Sequence, residues 1–308
     1  MDLNYTGWKR WKPTNDEWID FYTDNKVPFE MKDGEYLILE GEDTVVSYYC
    51  FEGGKFRHCS GGSIKTGIEA PVEEEFTTGK GKKKYSKSKQ PVITPRNDYQ
   101  VCAFDLIKDQ TKTIKLLEGR FGSGKTLILV TAALEALNNN VFERIIWVRN
   151  NVQVKDTPQL GALPGSAEEK LFSFLGPFRD HAGEARTRTM LTKGSLVVEP
   201  LQSLRGRNFV NSLIMCSECE NLTLSQLQLI IARAGEGSAI WLDGDRKQFD
   251  ANVFEAAQGI KQLVDIFSGH PLFGYVYLPK SERSATAAMA DLLDMAVYNE
   301  KNKNKNKY

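Results

Sequence analysis

The chain has 308 residues, of which 41% are hydrophobic and 26% charged, and its 40 Lys and Arg are balanced by 40 Asp and Glu. This composition excludes a mostly disordered chain, and no apolar run is long enough to cross a bilayer. A net charge of zero excludes a general attraction to nucleic acid, so such a contact needs a local basic patch. The first residues contain no apolar signal core, so we expect a cytoplasmic protein without membrane contact.

The N-terminal region, residues 1–69, has the pattern of a small β-rich module. It begins with a predicted amphipathic helix at 15–22, in which Trp18 and Tyr22 belong to an apolar stripe beside an acidic face. Three short runs typical of strands follow, at 35–40, 44–51 and 55–57. Because so small a sheet rarely folds alone, we expect it to pack on the rest of the chain.

Two segments have a strongly biased composition. Residues 70–91 contain a run of lysines and are interpreted as a basic, flexible linker. Its lysines act either as a solubilising hinge or as an arm that neutralises phosphates of a nucleic acid. Residues 299–308 alternate Lys and Asn, which is typical of a disordered tail with the same two possible roles.

A glycine-rich motif, G-x-x-x-x-G-K-T, lies at residues 119–126. A strand pattern at 113–117 precedes it and a helix pattern at 126–137 follows it, which is the order that a phosphate-binding P-loop requires. Its glycines allow backbone N–H groups to surround a polyphosphate, Lys125 can reach the β- and γ-phosphates, and the Thr126 hydroxyl can ligate Mg²⁺. The motif therefore predicts a site for ATP and Mg²⁺. Its candidate nucleotide contacts are Gly119, Arg120, Phe121, Gly122, Ser123, Gly124, Lys125 and Thr126.

Residues 92–298 alternate apolar strand patterns with helix patterns. The candidate strands are residues 113–117, 144–148, 195–199, 213–216, 239–242 and 275–278. Such alternation predicts an α/β fold with a mainly parallel, doubly wound sheet and a ligand beyond the carboxyl ends of its strands. Cys216 and Cys219 have the spacing of a redox or half-zinc site, but no second pair accompanies them. We therefore interpret them as buried thiols.

Further motifs flank the P-loop, one before it and the others after it. They are P-R-N-D-Y-Q at 95–100, L-G-A-L-P-G at 160–165 with E-E-K at 168–170, R-G-R at 205–207, R-A-G-E-G at 233–237, G-D-x-x-Q at 244–248 and E-R-S at 282–284. With these motifs, residues 95–293 resemble the PhoH-family ATPases, particularly the PhoH half of PIN–PhoH proteins. The β-rich module resembles the segment that joins the two halves, and too few residues precede it to hold a PIN nuclease.

The resemblance implies a RecA-like P-loop NTPase related to superfamily 1 helicases, with ATPase activity, action on RNA and frequent assembly into rings. It suggests that Lys125 binds the phosphates, Thr126 binds Mg²⁺ and Glu218 orients the attacking water. In the same way, Gln248 would sense the γ-phosphate and Arg283 would neutralise phosphate charge. The other expected contacts are Gln100, at the adenine, and the two charged candidates Arg205 and Arg207.

One departure from the family pattern concerns the metal. The family has D-E-A-Q-N where this chain has S-E-C-E-N at 217–221, so Ser217 replaces the carboxylate that helps to hold the Mg²⁺ shell. Because Mg²⁺ uses few protein carboxylates, Thr126 and Ser217 are still the metal candidates. Asp243, at the end of a neighbouring strand, either compensates for the missing acid or is a solvated strand-end carboxylate.

We therefore predict an ATPase that couples Mg-ATP hydrolysis to action on RNA or single-stranded DNA. The alternative is a nucleotide-gated nucleic-acid-binding module that holds ATP but hydrolyses it weakly, because of Ser217. A single RecA-like domain lacks the second lobe of many helicases, which favours a homo-oligomer such as a hexameric ring.

Overall fold

The computed structural model describes residues 5–41, 45–66, 70–78, 81–89, 91–149, 172, 175–246 and 258–282. Several predicted features lie outside these residues: the motifs at 160–165 and 168–170, the candidate residues Gln248 and Arg283, and the tail 299–308.

The N-terminal module is a four-stranded sheet with one helix. Its strands β1 (Trp8–Trp11), β2 (Tyr36–Glu40), β3 (Val46–Glu52) and β4 (Lys55–Cys59) are adjacent in chain order. Strand β1 runs parallel to β2, and the other pairs are antiparallel. Helix α1 (Asn15–Asp24) begins at a capping box and buries Phe21 against Leu37 and Leu39 of the sheet. The sequence did not predict β1, because its four residues are ordered by pairing with a strand distant in sequence.

The N-terminal sheet packs on the rest of the chain, as predicted. The Trp8 indole Nε1 donates a hydrogen bond of 2.7 Å to the Tyr277 carbonyl, and the Tyr277 N–H donates one of 2.9 Å to Thr6 O. The Tyr36 hydroxyl donates to the Asp105 carboxylate at 3.1 Å. Tyr36 is buried in the same hydrophobic cluster as side chains of the large sheet, so the two sheets share a core.

The segment predicted as a flexible linker is instead mostly extended strand. After the two-residue strand β5 (Ile64–Lys65), β6 (Ala70–Thr78) and β7 (Gly81–Lys89) pair antiparallel along their whole length. Strand β8 (Val92–Ile93) then pairs with β5. The lysine run suggested disorder, but the two segments also contain Val, Thr, Phe and Tyr, which favour strands.

The remaining strands form one parallel sheet of six. They are β9 (Ile114–Gly119), β10 (Arg144–Arg149), β11 (Leu196–Pro200), β12 (Ser212–Cys216), β13 (Ala239–Gly244) and β14 (Phe273–Leu278), in the spatial order β11-β10-β12-β13-β9-β14. Every pair is parallel, and all six strands were predicted from the sequence. The described helices are α2 (Asp98–Lys108), α3 (Lys125–Asn138), α4 (Gly176–Ala182), α5 (Glu184–Thr192), α6 (Leu224–Ile231) and α7 (Gly259–Phe267).

Helices cover both faces of this sheet. Ile145 and Trp147 of β10 pack in the cluster that contains residues of α2, α3 and α4, whereas Ile146 and Val148 pack with residues of α6 and α7. Because successive strand residues point to opposite faces, two buried faces require the continuous apolar runs seen in the sequence. The predicted doubly wound, RecA-like P-loop fold is thereby confirmed. No helix in the described part of the chain is long and apolar enough to span a membrane.

Candidate nucleotide site

The P-loop joins β9 to α3 and depends on its glycines. A Cβ atom at Gly119 would lie 2.3 Å from the carbonyl oxygen of Leu278 on the neighbouring strand, so no side chain fits there. Gly122 and Gly124 have φ angles of 68° and 88°, in the left-handed region that favours glycine. Helix α3 then begins at Lys125. The loop therefore lies at the N-terminus of a helix, where anions bind readily.

Polar groups of the P-loop fit a polyphosphate. The Lys125 Nζ donates to the carbonyls of Gly119 at 2.6 Å and Arg120 at 3.0 Å, so the ammonium group lies over its own loop. The Ser123 hydroxyl is buried and has no hydrogen-bond partner among the described residues. Phe121 is 43% exposed at the outer side of the loop. Because phosphate oxygens are strong acceptors, a bound nucleotide could engage the ammonium group and this unpaired hydroxyl.

Gln100, predicted at the adenine, supports the P-loop from within the protein. Its side chain is buried, its Nε2 donates to Ser123 O at 2.9 Å, and its Oε1 accepts from the Arg96 N–H at 2.8 Å. Asn97 caps α2 by accepting from the Gln100 N–H at 3.0 Å. Both ends of the Gln100 amide therefore bond to protein groups, and its contact with adenine stays a prediction.

The metal candidates meet at a buried carboxylate. The Thr126 Oγ1 donates to the Asp243 Oδ2 at 2.5 Å. The Ser217 hydroxyl and the backbone N–H of Glu218 lie beside the same carboxylate. Burial raises the pKa of Asp243, while these donors and the charge of Lys125 oppose the rise. The solvated strand-end carboxylate considered for Asp243 is thus wrong, because the side chain is 2% exposed.

The oxygen donors at this point fit Mg²⁺. No cluster of three or more His, Cys, Asp or Glu side chains able to hold a metal ion occurs within the described residues. A P-loop site does not need one, because Mg²⁺ binds one or two protein oxygens together with substrate phosphates and waters. Thr126 and Asp243 supply hard oxygen atoms in direct contact, and the Ser217 hydroxyl lies beside Asp243.

Glu218, the candidate that orients water, has an unusual backbone conformation. It follows β12 directly, is exposed, and has φ 58° and ψ 44° in the left-handed region. For a residue other than glycine this costs about 1 kcal/mol or more, and such residues cluster at functional sites. The flanking Cys216 and Cys219 are buried free thiols, as predicted.

Glu220 was not identified from the sequence, where it lies in the departing S-E-C-E-N segment. Its Oε2 accepts from the Asp245 N–H at 2.9 Å, so it ties the end of β12 to the end of β13. Burial raises the pKa of Glu220 to about 8, with smaller contributions in the same direction from the charges of Asp243 and Glu218. The hydrogen bond from Asp245 opposes this rise.

The raised pKa of Glu220 makes stability depend on pH. The folded protein holds this proton up to about pH 8, whereas the unfolded chain releases it near the ordinary value of 4.5. The free energy of unfolding should therefore fall as pH rises between these values, by up to about 1.4 kcal/mol per pH unit. Glu220→Gln keeps an acceptor for Asp245 and should remove this slope in urea unfolding at pH 5 to 8. The exposed Glu236→Gln is the control, and equal slopes in both variants would contradict the assignment.

The structure places Arg205 and Arg207 after the edge strand β11, away from the P-loop strand. They follow β11, which is four strands away from β9 in the sheet, or about 19 Å at a strand spacing of about 4.8 Å. Both are exposed, and Arg207 forms an ion pair of 3.1 Å with Glu199. The sequence motif could not show this separation, because the strand order is set by tertiary pairing.

The segment before Arg283 contacts the P-loop. The Glu282 N–H donates to Gly122 O at 2.8 Å, and the Glu282 carboxylate accepts from Asn97 Nδ2 at 2.7 Å. The chain thus reaches the P-loop one residue before Arg283. Arg283 and Gln248 themselves lie outside the described residues, so their roles stay predictions.

Comparison with known proteins identifies relatives of the α/β domain. The family model described as PhoH-like protein matches residues 92–295, well over half of the chain. Protein PhoH2 of Bacillus subtilis (strain 168) is 34% identical over 214 residues, which cover 65% of this chain and 48% of that protein. Protein PhoH2 of Mycolicibacterium smegmatis is 32% identical over 198 residues, which cover 63% and 45%. The chain spans about half the length of these relatives.

A solved structure with a weaker likeness is the complex of Arterivirus nonstructural protein 10, a helicase, with DNA. It has 14% sequence identity and a TM-score of 0.31, and the match covers 74% of this chain and 51% of that one. The family model, the ordered motifs and the P-loop geometry together carry the assignment: this chain belongs to the PhoH family.

Proposed function

We propose that this protein is an ATPase that binds Mg-ATP at the P-loop and couples its hydrolysis to action on RNA or single-stranded DNA. Its place in the PhoH family supports nucleotide-dependent activity related to nucleic acids. The observation that carries the proposal is the Thr126 hydroxyl at the head of α3, bonded to the buried carboxylate of Asp243. This pairing of a P-loop hydroxyl with a strand-end acid is the arrangement in which P-loop NTPases hold Mg²⁺.

The residues have distinct proposed roles. Lys125 would hold the phosphates and the Thr126 hydroxyl oxygen would hold the metal. Bound Mg²⁺ supplies charge neutralisation at the β- and γ-phosphates. Glu218, exposed beyond β12, orients the attacking water. The left-handed backbone of Glu218 turns the chain away from the direction of β12, and this position at the strand end supports the role.

Two further groups complete the proposed site. Gln248 senses the γ-phosphate, and Arg283 neutralises its charge. The contact of Glu282 with the P-loop supports the role of Arg283, which is the next residue. Arg205 and Arg207 are exposed and distant from the P-loop strand, so they are candidates to act on the nucleotide of a neighbouring subunit. Their position therefore favours a homo-oligomer, such as a hexameric ring, in which sites are completed between subunits.

The nucleic-acid partner would require a local basic surface, because the whole chain is neutral. Strand β7 (Gly81–Lys89) contains five lysines and belongs to a hairpin rather than to a loose arm. We propose it as one contact for the phosphate backbone. Binding through such lysines should weaken as salt rises, because the bound phosphates release their counterions.

A second function is favoured by one observation. Ser217 stands where the family carries an acid, and a hydroxyl cannot accept a proton or balance metal charge as a carboxylate does. The protein would then bind ATP, change its affinity for nucleic acid and hydrolyse the nucleotide only slowly. Hydrolysis of ATP with Mg²⁺, measured with and without single-stranded RNA and DNA beside a nucleotide titration, separates the two functions. Stimulated turnover supports the ATPase, and tight binding without turnover supports the binding module.

Replacing the proposed water-orienting acid tests the enzyme directly. Glu218→Gln should lower turnover by about 100-fold or more, which is the usual contribution of a positioned acid–base group, while nucleotide affinity is retained. The exposed Glu184→Gln on α5, which also loses one carboxylate, is the matched control and should keep wild-type turnover. Equal turnover in Glu218→Gln and wild type would exclude the role of Glu218.

A further inference from the structure

The environment of Asp243 is that of a functional acid rather than a surface carboxylate. Its side chain is 2% exposed at the end of β13. The Thr126 Oγ1 donates to it at 2.5 Å, and the Ser217 hydroxyl and the Glu218 backbone N–H lie beside it. Burying a carboxylate is costly unless it is paired and hydrogen-bonded, and here the hydroxyl of the P-loop threonine bonds to it.

The register of the sheet places residues 217 and 243 side by side. Strands β12 and β13 are parallel neighbours, and Cys216 is paired with Leu242. The next residues along the chain are Ser217 and Asp243, which are therefore level at the carboxyl ends of the two strands. Residues in register on parallel strands point to the same face, and the strands are about 4.8 Å apart. A carboxylate can consequently shift from one position to the other and still face the P-loop.

We propose that Asp243 provides the metal-side carboxylate that position 217 lacks, so that the acid of the Mg²⁺ shell has moved from β12 to β13. This inference rests on the proposed function. Ser217 then becomes a positioning residue, because its hydroxyl lies beside the Asp243 carboxylate, which accepts from Thr126. The replacement of the family acid by Ser217 is then a rearrangement of the site rather than its loss.

The other buried acid at this edge does not have these contacts. Glu220 accepts from the Asp245 N–H at 2.9 Å and bridges the two strand ends. None of the hydrogen bonds described for it involves the P-loop threonine. Glu220→Gln is therefore a matched control for replacing a buried carboxyl group by an amide at the same edge of the sheet.

The test measures how strongly Mg²⁺ tightens nucleotide binding by the full chain. Calorimetric titration with ADP and with a non-hydrolysable ATP analogue, in Mg²⁺ and in EDTA, gives the Mg²⁺-dependent gain in affinity. Bound Mn²⁺, observed by electron paramagnetic resonance with the nucleotide present, gives a second readout independent of activity. The variants are Asp243→Asn, the exchange Ser217→Asp/Asp243→Ser, and the control Glu220→Gln.

Asp243→Asn should weaken metal binding by about 10- to 100-fold, as loss of a shell residue usually does, while affinity for nucleotide in EDTA is kept. The exchange variant should recover the Mg²⁺-dependent gain in nucleotide affinity, and Glu220→Gln should retain that gain. The regain also guards against a misfolded Asp243→Asn, because the exchange variant restores one acid and one hydroxyl to the pair.

The outcomes separate this inference from the function on which it rests. If wild-type protein binds no nucleotide with or without Mg²⁺, the proposed function fails and the inference fails with it. If nucleotide binds and Asp243→Asn keeps the full Mg²⁺-dependent gain, the inference alone is overturned. An exchange variant that binds nucleotide in EDTA but does not regain the metal effect would likewise overturn the shift of the acid between strands.

Discussion

Lys125→Ala is expected to reduce ATP affinity by roughly 100-fold, because an ammonium–phosphate hydrogen bond contributes about 3 kcal/mol in a partly buried site. The loop around it is fixed by close packing: no side chain fits at Gly119 and Gly122 is left-handed. Loss of the lysine therefore leaves the loop backbone in place and removes its principal cation. The measurement is a nucleotide titration, followed by the rate of ATP hydrolysis at saturating nucleotide.

The Lys125 variant needs a control for folding. The ammonium donates to Gly119 and Arg120, so its removal also deletes two bonds within the loop. Thermal unfolding should show at most a small loss, because the lysine is only part-buried and its two acceptors can bond to water. Lys261→Ala, which removes an exposed lysine from the surface pair with Asp265, should leave affinity unchanged. Undiminished ATPase activity in Lys125→Ala would refute the nucleotide site.

Glu118→Ala is expected to cost about 3 to 5 kcal/mol of unfolding free energy, the usual penalty for removing one partner of a buried ion pair. Glu118 immediately precedes the P-loop and is fully buried. The Arg246 guanidinium donates to both of its carboxylate oxygens, and the Tyr275 hydroxyl donates at 2.8 Å. The network joins β9, β14 and the segment after β13, so the substitution leaves a charge and a phenol without their acceptor.

Denaturant unfolding of single and double variants tests this network. Arg246→Leu should also destabilise, because it leaves the Glu118 carboxylate buried without its cation. The double variant Glu118→Ala/Arg246→Leu should lose much less than the sum of the two, since it leaves no buried charge unpaired. If the losses of unfolding free energy in the two single variants simply add in the double variant, Glu118 and Arg246 are not coupled. Because Arg246 lies two residues before Gln248, the single variants should also reduce turnover if the network positions that residue.

Most of the α/β domain could be predicted from the sequence because its signals are local. Six apolar runs gave the six strands, since strands buried on both faces need continuous apolar residues. The P-loop could likewise be predicted locally, because its glycines, lysine and threonine all lie within residues 119–126. The lysine-rich segment 81–89 misled the prediction, because composition alone does not exclude pairing with a second strand.

The sequence by itself determined the family, the P-loop, and the acids and arginines that are candidates for the site. Only the tertiary structure decided which of them meet. The strand order places β13 between β12 and β9, so Asp243 contacts Thr126, whereas Arg205 lies four strands away from β9. The physical reason is that parallel pairing joins strands distant in sequence, and its register is fixed by burial of both faces rather than by any motif. A motif can name a carboxylate, but only the sheet determines where it lies.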